Sequence, residues 1–155
     1  MFLVIGLGNP GKKYEKTRHN IGAQIVEAMK KTKLKGFVFA KTQTFMNNSG
    51  QAVKDLVNFC KIKPVNLYIV HDDIDLPLGE IKVVKNRGSA GHKGVESIIK
   101  ELKTKDFNRL RVGIRPKTGK PKNLEKFVLQ NFTKQEEKII KEVIKKVSKL
   151  IEQII

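Results

Sequence analysis

The sequence predicts an α/β fold formed by a single domain over residues 1–155, and three features lead to that prediction. A chain of 155 residues is long enough to bury one core and needs no second domain. Short apolar runs typical of strands alternate along it with amphipathic segments of helical spacing. The first strand also passes into the first helix through a glycine-rich loop, a place where α/β proteins usually bind ligands.

This first crossing from strand to helix holds a dense cluster of polar residues. Residues 1–5 predict a strand, residues 6–11 form the glycine-rich loop, and apolar residues from Ile21 to Met29 recur at helical spacing. Five polar side chains lie within twelve positions between the two elements, namely Asn9, Tyr14, Arg18, His19 and Asn20. We therefore expect a ligand site here that is completed by residues from elsewhere in the chain.

One alternative for this loop is a dinucleotide-binding turn. Three glycines fit the G-x-G-x-x-G pattern after a strand, and Glu27 stands roughly where a ribose-binding acid is expected. The pattern alone is weak evidence. Pro10 moves the preceding residue away from helical angles, and lysines follow where small residues should pack the helix on the strand, so this alternative is disfavoured.

The next elements are a strand over residues 37–40, near a loop or hairpin edge, and a helix that stops before Pro64. Asn48 or Ser49 is a candidate to cap that helix. Its apolar face includes Cys60, the only cysteine, which we expect to be buried there. A lone cysteine predicts neither a disulfide nor a zinc site.

A buried strand over residues 67–70 leads into three acids, Asp72, Asp73 and Asp75. Acids at the end of a strand are candidates for catalysis or metal binding. Pro77 and Leu78 occupy positions where a calcium loop would need oxygen ligands, so no metal is expected.

The remaining chain continues the alternation. Residues 80–85 predict a half-exposed strand with Ile81 and Val83 directed inward, followed by a second glycine-rich loop and a helix that includes Val95 and Leu102. A strand is predicted over residues 110–114 and a basic loop over residues 117–123.

The last element is a long helix opened by a capping box of Thr133 and Glu136. We expect its lysines to form a solvated outer face over one core-packing stripe, rather than a membrane or RNA surface. The predicted stripe consists of Ile139, Val143, Val147, Leu150 and Ile154.

The charge balance favours a polyanionic partner. Lys and Arg number 32 against 15 Asp and Glu, which gives a net charge of +17 and a pI near 10.0. A generally lysine-rich proteome is an alternative contribution to this excess. No stretch has the apolar length of a membrane span, so we expect a soluble, cytoplasmic protein without a membrane partner.

Four motifs, in order, now resemble one family, the bacterial-type peptidyl-tRNA hydrolases. They are GLGNPG leading to RHN at 6–20, TFMNNSG at 44–50, HDDIDLPLG at 71–79, and GHKG at 91–94 with RLRVGIRP at 109–116. The resemblance spans nearly the whole chain. It implies a mixed twisted sheet with helices on both faces, a monomer without a cofactor, and peptidyl-tRNA as the partner.

The reaction implied by the resemblance is hydrolysis of the ester between a peptide and tRNA, which recycles tRNA from prematurely released products. His19 then matches the catalytic base and Asp72 the acid that orients its ring. The alternative is a catalytically inactive RNA-binding relative of the same fold. Retention of these two residues together with Asn9 and Asn47 argues against that alternative.

The resemblance also implies substrate-binding residues. Asn9 and Asn47 match positions that bind the peptidyl end, where neutral amides favour a blocked substrate over a free cationic amine. Tyr14 and Phe45 match residues that line the substrate groove, with burial in the core as the alternative for each. His71 and His92 are expected to be neighbours of the site.

The sequence departs from the family pattern at Lys93, where asparagine is usual, at Ala90, where glycine is usual, and at Thr42, near a customary proline. Lys93 is expected to bind either a tRNA phosphate or a peptide carbonyl, and to lower the pKa of His19. We further expect six basic residues to hold the tRNA acceptor stem: Lys82, Lys85, Arg87, Lys103, Lys105 and Arg115.

Overall fold

A computed structural model of the chain describes residues 1–154 and contains one five-stranded sheet with the strand order β2-β1-β3-β5-β4. The strands are β1 (Phe2–Gly6), β2 (Phe37–Lys41), β3 (Leu67–Pro77), β4 (Ile81–Lys85) and β5 (Asn108–Arg115). All neighbouring pairs are parallel except β4 with β5, which is antiparallel. The predicted mixed sheet is therefore confirmed.

Five α-helices accompany the sheet in the described chain: α1 (Ile21–Lys30), α2 (Ser49–Cys60), α3 (Lys93–Leu102), α4 (Leu124–Val128) and α5 (Lys134–Glu152). Short 3₁₀ turns precede several of them, including Arg18–Asn20 before α1 and Met46–Asn48 before α2. Within residues 1–154, none of the helices has the length and apolarity needed to cross a membrane.

The helices cover both faces of the sheet, as predicted. On one face, α1 and α5 pack on residues such as Val4 and Val70, whereas α2 and α3 pack on Leu3, Ile5 and Ile69 on the other. Successive residues of β1 thus enter different cores, which explains why this strand is apolar throughout rather than alternating.

Two glycines let α1 begin directly against the sheet. A Cβ on Gly22 would lie 2.0 Å from the carbonyl oxygen of Val70, and one on Gly6 would lie 2.1 Å from the carbonyl oxygen of Gly22. Larger residues would push α1 away from β1 and β3. The turn that precedes α1 carries His19, so this close approach fixes its distance from β3.

Several predicted details of the strands are wrong. β2 is not part of a hairpin, because α1 crosses over and returns the chain parallel to β1. β3 does not stop at residue 70 but runs to Pro77, since β5 continues to pair with it beyond the end of β1. Val83 is 51% exposed, because β4 lies at the edge of the sheet.

Details of the helices also differ from expectation. Asn48 occupies the N-cap position of α2 but makes no capping hydrogen bond with its side chain. The Ser49 hydroxyl donates backwards to the carbonyl oxygen of Met46 at 2.7 Å instead of capping the helix. Cys60 is only partly buried. The capping box of α5 is confirmed, and so are Val143, Val147 and Ile154 of the predicted stripe, since Ile154 packs partly buried against the core just after the helix. The prediction is wrong for Ile139, which is exposed, and it missed Ile140 and Ile151. The buried residues are Ile140, Val143, Val147 and Ile151.

Candidate active site

Three elements bring one carboxylate and two imidazoles together. His19 lies in the 3₁₀ turn before α1, Asp72 lies within β3, and His92 stands at the N-terminus of α3. His19 Nδ1 is 2.8 Å from Asp72 Oδ2, and His92 Nε2 is 2.8 Å from Asp72 Oδ1. The buried carboxylate therefore lies between the two rings and contacts each through a different oxygen.

The hydrogen bonds assign the protons on both rings. His92 Nδ1 accepts from the backbone N–H groups of Gly94 (3.1 Å) and Val95 (3.2 Å), so its Nε2 carries the hydrogen that is donated to Asp72. His19 likewise donates from Nδ1 to Asp72. Its Nε2 makes no hydrogen bond within residues 1–154 and is left with a lone pair for another partner.

Asp72 also controls the titration of His19. Burial disfavours the charged ring, but the carboxylate outweighs that effect and raises the pKa of His19 above its ordinary value of 6.5. Burial alone would raise the pKa of Asp72, yet His19 and His92 hold it far below the ordinary value, so the carboxylate stays ionised at neutral pH.

A third histidine supports Asp72 from within the sheet. His71 is buried, donates from Nδ1 to the carbonyl oxygen of Asp72 at 2.7 Å, and lies 3.4 Å through Nε2 from Arg109 Nη1. Burial, helped by the neighbouring His92, moves the pKa of His71 well below its ordinary value. His71 is therefore neutral and holds the backbone carbonyl group of Asp72 itself.

The three groups also form a cluster of possible metal ligands, because single atoms of His19, Asp72 and His92 lie within 4.8 Å of one another. Two N–H···O hydrogen bonds of 2.8 Å account for this geometry. The hydrogen on His92 Nε2 occupies the lone-pair direction that a metal would need.

A cavity of about 560 Å³ opens beside this cluster. It is lined by all seven residues predicted for catalysis or substrate binding, His19, Asp72, Asn9, Tyr14, Phe45, Asn47 and Lys93. The chain thus gathers residues from four distant segments around one space, while their individual roles stay predictions.

Asn9 is held with its amide nitrogen available to a ligand. Its backbone N–H donates to Asn20 Oδ1, and Asn20 Nδ2 donates back to the carbonyl oxygen of Asn9, both at 2.9 Å. The side-chain oxygen of Asn9 accepts from the backbone N–H of Met46 at 2.8 Å. Because the oxygen is used in this bond, the amide nitrogen Nδ2 of Asn9 is the atom that can donate to a carbonyl group of a ligand.

Two aromatic rings form one rim of the cavity. Tyr14 and Phe45 meet edge to face with their centroids 6.3 Å apart. Phe45 is 53% exposed, which excludes the alternative that it belongs to the core, and Tyr14 is half-buried. Asn47 lies exposed two residues beyond Phe45.

Lys93 also lines the cavity, with its Nζ 3.4 Å from Glu125 Oε1 of α4. Its charge does oppose protonation of His19, as expected. The predicted net lowering of the His19 pKa is nevertheless wrong, because the directly bonded Asp72 carboxylate has the larger effect.

The other two departures from the family pattern have local explanations. Ala90 adopts a φ of 49°, a left-handed conformation in which glycine is less strained. Thr42 donates its backbone N–H to the carbonyl oxygen of Gly6 at 3.1 Å, a bond that a proline lacks. Its buried hydroxyl also lies 3.3 Å from the carbonyl oxygen of Gly8, which ties the first loop to the segment after β2.

Comparison with known proteins identifies this arrangement. A family model described as peptidyl-tRNA hydrolase matches residues 3–36 and 28–155. The chain belongs to the peptidyl-tRNA hydrolase family.

Individual members of the peptidyl-tRNA hydrolase family are similar to this chain over nearly its full length. The chain is 45% identical to the peptidyl-tRNA hydrolase of Aquifex aeolicus over 93% of its own length and 84% of the relative's. It is 40% identical to that of Thermodesulfovibrio yellowstonii, with 100% and 91% covered. The crystal structure of the Acinetobacter baumannii peptidyl-tRNA hydrolase superposes with a TM-score of 0.86 at 29% identity, covering 98% of this chain and 87% of the other.

The six basic residues expected to hold tRNA lie away from the cavity lining of this peptidyl-tRNA hydrolase family member. Lys82 and Lys85 belong to β4, and Arg87 follows it. Lys103 and Lys105 come after the C-terminal end of α3, about 15 Å along that ten-residue helix from His92. The last of the six is Arg115, at the end of β5.

Two of these side chains already have partners. Arg115 Nη1 donates to the carbonyl oxygen of Asp75 at 2.9 Å, and Lys85 Nζ lies 3.8 Å from Asp106. Their involvement with tRNA stays a prediction, and Arg115 is the least available of the set because it is half-buried.

The sequence did not predict two parts of the site. The bond between His92 and Asp72 was missed, although the GHKG motif at a helix start placed His92 nearby. The part of the cavity lining formed by α4 and the residue after it was missed altogether; it consists of Leu124, Val128 and Leu129. Its one sequence signal is Asn123, which caps α4 by accepting from the backbone N–H of Lys126.

Proposed function

We propose that the chain hydrolyses the ester bond that joins a peptidyl group to the terminal ribose of tRNA. The observation that carries the proposal is the pairing of His19 with Asp72 beside the cavity, which leaves His19 Nε2 as a lone-pair acceptor. Membership of the peptidyl-tRNA hydrolase family supports the same reaction.

In the proposed mechanism His19 acts as a general base. A water molecule attacks the ester carbonyl carbon while Nε2 of His19 takes one of its protons. When the tetrahedral intermediate collapses, the bond from this carbon to the ribose oxygen breaks, and the imidazolium returns the proton to that oxygen. The products are a free peptide carboxyl group and tRNA with its ribose hydroxyl restored.

Asp72 orients the base and stabilises its charged form. Because Asp72 accepts from His19 Nδ1, it fixes the tautomer that has a lone pair on Nε2. Its retained negative charge then favours the imidazolium that forms during the attack. The hydrogen bond from His92 holds the second carboxylate oxygen and limits rotation of the group.

Asn9 and Asn47 are proposed to bind the peptidyl moiety. Nδ2 of Asn9 is suited to donate to a peptide carbonyl, because its side-chain oxygen is already held by Met46. A neutral amide gives no compensation for desolvating a free ammonium group, so these residues favour a blocked amino terminus. Tyr14 and Phe45 offer aromatic surface on the same side.

The tRNA body is proposed to lie on the basic residues outside the cavity. Phosphate contacts of lysine and arginine provide affinity without reading sequence, which suits an enzyme that accepts many tRNAs. We further propose that the protein acts as a cytoplasmic monomer.

The decisive experiment compares N-acetyl-aminoacyl-tRNA with unblocked aminoacyl-tRNA. We expect release of the blocked amino acid, little release of the free one, and at least roughly a 10²-fold loss of the rate in His19→Ala with tRNA binding retained. Binding without release from either substrate would instead identify an inactive RNA-binding relative. Near-normal turnover by His19→Ala would exclude the base role.

A further inference from the structure

Arg18, the residue before the proposed base, is buried at a junction of three elements. It is 5% exposed although it carries a permanent charge. Its Nη2 forms a 2.8 Å ion pair with Glu136 Oε1 in the first turn of α5, where Glu136 is also largely buried. Nothing in the proposed hydrolysis uses this guanidinium.

The other face of the guanidinium contacts α4 and the segment after it. Nη1 donates to the carbonyl oxygen of Phe127 at 3.1 Å and to Gln130 Oε1 at 3.3 Å. The guanidinium carbon also lies 3.9 Å from the centroid of the Phe127 ring, within cation–π distance. The Arg18 side chain thus contacts the carbonyl group and the ring of Phe127 near the end of α4, and the side chain of Gln130 just beyond it.

Backbone bonds extend the same junction. The N–H of Arg18 donates to the carbonyl oxygen of Gln130 at 3.1 Å, and the N–H of Phe132 donates to the carbonyl oxygen of Lys16 at 3.2 Å. Thr17 and Asn131 form an antiparallel bridge between these bonds. The turn that carries His19 and the chain that follows α4 are therefore joined directly.

Besides Arg18, α4 is held by its cap at Asn123 and by Phe127 and Val128, which are partly buried against the core. It is only five residues long, and every one of its residues is exposed or half-buried. A helix this short is not stable on its own propensity. Yet Leu124 and Val128, with Leu129 just after them, contribute apolar side chains to the lining of the cavity that Asn9 and Asn47 also line.

We propose that Arg18 is a positioning residue that holds α4 as the apolar wall against which the side chain of the last peptidyl residue packs. The inference rests on the proposed function and adds a substrate preference to it. Substrates with a large apolar residue at the ester gain more binding affinity from this wall than substrates with glycine. Arginine suits the task because its planar fork bonds several acceptors while its face stacks on a ring, which a lysine cannot reproduce.

The first test does not depend on activity. Hydrogen exchange is compared between the wild type and Arg18→Lys for the amides of Phe127 and Gln130, which bond within α4 and at its C-terminal end, and for the amide of Phe132, which bonds across the junction. Faster exchange of these amides, with α5 and the sheet unchanged, is expected. Unchanged exchange at these amides would overturn the proposal.

The second test uses one tRNA charged with either N-acetyl-leucine or N-acetyl-glycine. In Arg18→Lys we expect KM for the leucyl substrate to rise about tenfold more than KM for the glycyl one, in line with losing part of an apolar pocket. An equal change in both KM values, or a fall in kcat alone, would assign Arg18 a merely structural role and overturn the proposal.

Two further variants complete the design. Glu136→Gln keeps an acceptor for the capping box but removes the ion pair, so it should show the same selective rise in KM and combine less than additively with Arg18→Lys. It also tests the proposal if Arg18→Lys does not fold. Glu142→Gln, which removes the exposed pair with Lys145 on the same helix, is the control. A wild type that binds but never hydrolyses tRNA esters refutes the proposed function, and the exchange experiment still decides the role of Arg18.

Discussion

At the scale of single residues, the carboxylate of Asp72 determines the protonation of the proposed base. A base works only when neutral, so activity should be lost as the pH falls through the pKa of His19. Because Asp72 raises that pKa, the acid limb of kcat/KM in the wild type should lie above the ordinary histidine value of 6.5.

Asp72→Asn should move this acid limb to lower pH and reduce the plateau rate. The amide removes the charge that favours the imidazolium, while the wrong tautomer costs roughly 10²- to 10⁴-fold in rate. The measurement is the pH dependence of kcat/KM for N-acetyl-aminoacyl-tRNA. An acid limb that stays in place would show that His19 does not titrate in that profile.

Lys93→Asn should retain activity but weaken the salt dependence of KM for full tRNA substrates. We expect Lys93 to bind a tRNA phosphate. Its ion pair with Glu125 is exposed and therefore weak, so Lys93 can leave Glu125 and pair with the phosphate at little cost. Losing one phosphate contact should reduce the slope of log KM against log salt by roughly 0.7 to 0.9. Glu125→Gln is the matched control, since it frees Lys93. A change only in the preference for the peptidyl residue would place Lys93 at the peptide end instead.

The residues of the site differ in how far the sequence could reveal them. Asn9, His19 and Asp72 follow the predicted ends of strands, where a parallel sheet collects ligand-binding side chains. The link from His92 to Asp72 is different, because it depends on a ring nitrogen capping α3 and thereby fixing the ring's other nitrogen as a donor. Such a role is not encoded by spacing.

At the scale of elements, the pairing of α2 with α3 depends on Gly50. A Cβ at this position would lie 2.1 Å from the backbone carbonyl oxygen of Ser97, an atom that cannot move without shifting α3. The same site gains a hydrogen bond from the N–H of Gly50 to Ser97 Oγ at 2.9 Å. The glycine thus permits close contact between the two helices.

Gly50→Ala should therefore lower the free energy of unfolding by about 1–3 kcal/mol, as overpacking of a tight contact does. Gly88→Ala is the control, because a Cβ there would meet nothing within 4 Å. Denaturant unfolding of both variants measures the difference. Equal stability would mean that α3 moves away from α2 at little cost.

Element prediction succeeded where one periodicity dominated and failed where packing chose between alternatives. On α5, apolar residues at 139, 140, 143, 144, 147, 150 and 151 allow more than one stripe, and only contact with α1 and the sheet selects the one through Ile140 and Ile151. α4 was missed because it is only five residues long and is fixed by contacts of Phe127 with Arg18 and with the core, which lie in distant parts of the chain. Propensity and period contain no information about such a contact.

At the scale of the whole molecule, the net charge of +17 is the property that most favours a nucleic-acid substrate. We expect KM for a full tRNA substrate to rise steeply with salt, because several phosphate contacts release counterions together. A short substrate with the same blocked aminoacyl ester on a few nucleotides should lose most of this dependence. Measuring both over the same salt series separates the basic surface from the cavity, and equal slopes would show that the surface residues do not contact tRNA.

The position of β4 at the border of the sheet has a consequence for solubility. Its outer backbone N–H and C=O groups are a template on which a second copy of the strand can pair, and the exposed Val83 would favour that pairing. Lys82 and Lys85 are exposed on the same strand and repel a second copy. Variants that neutralise both lysines to weaken tRNA binding would also remove this protection against aggregation, so their affinities must be measured together with their state of association.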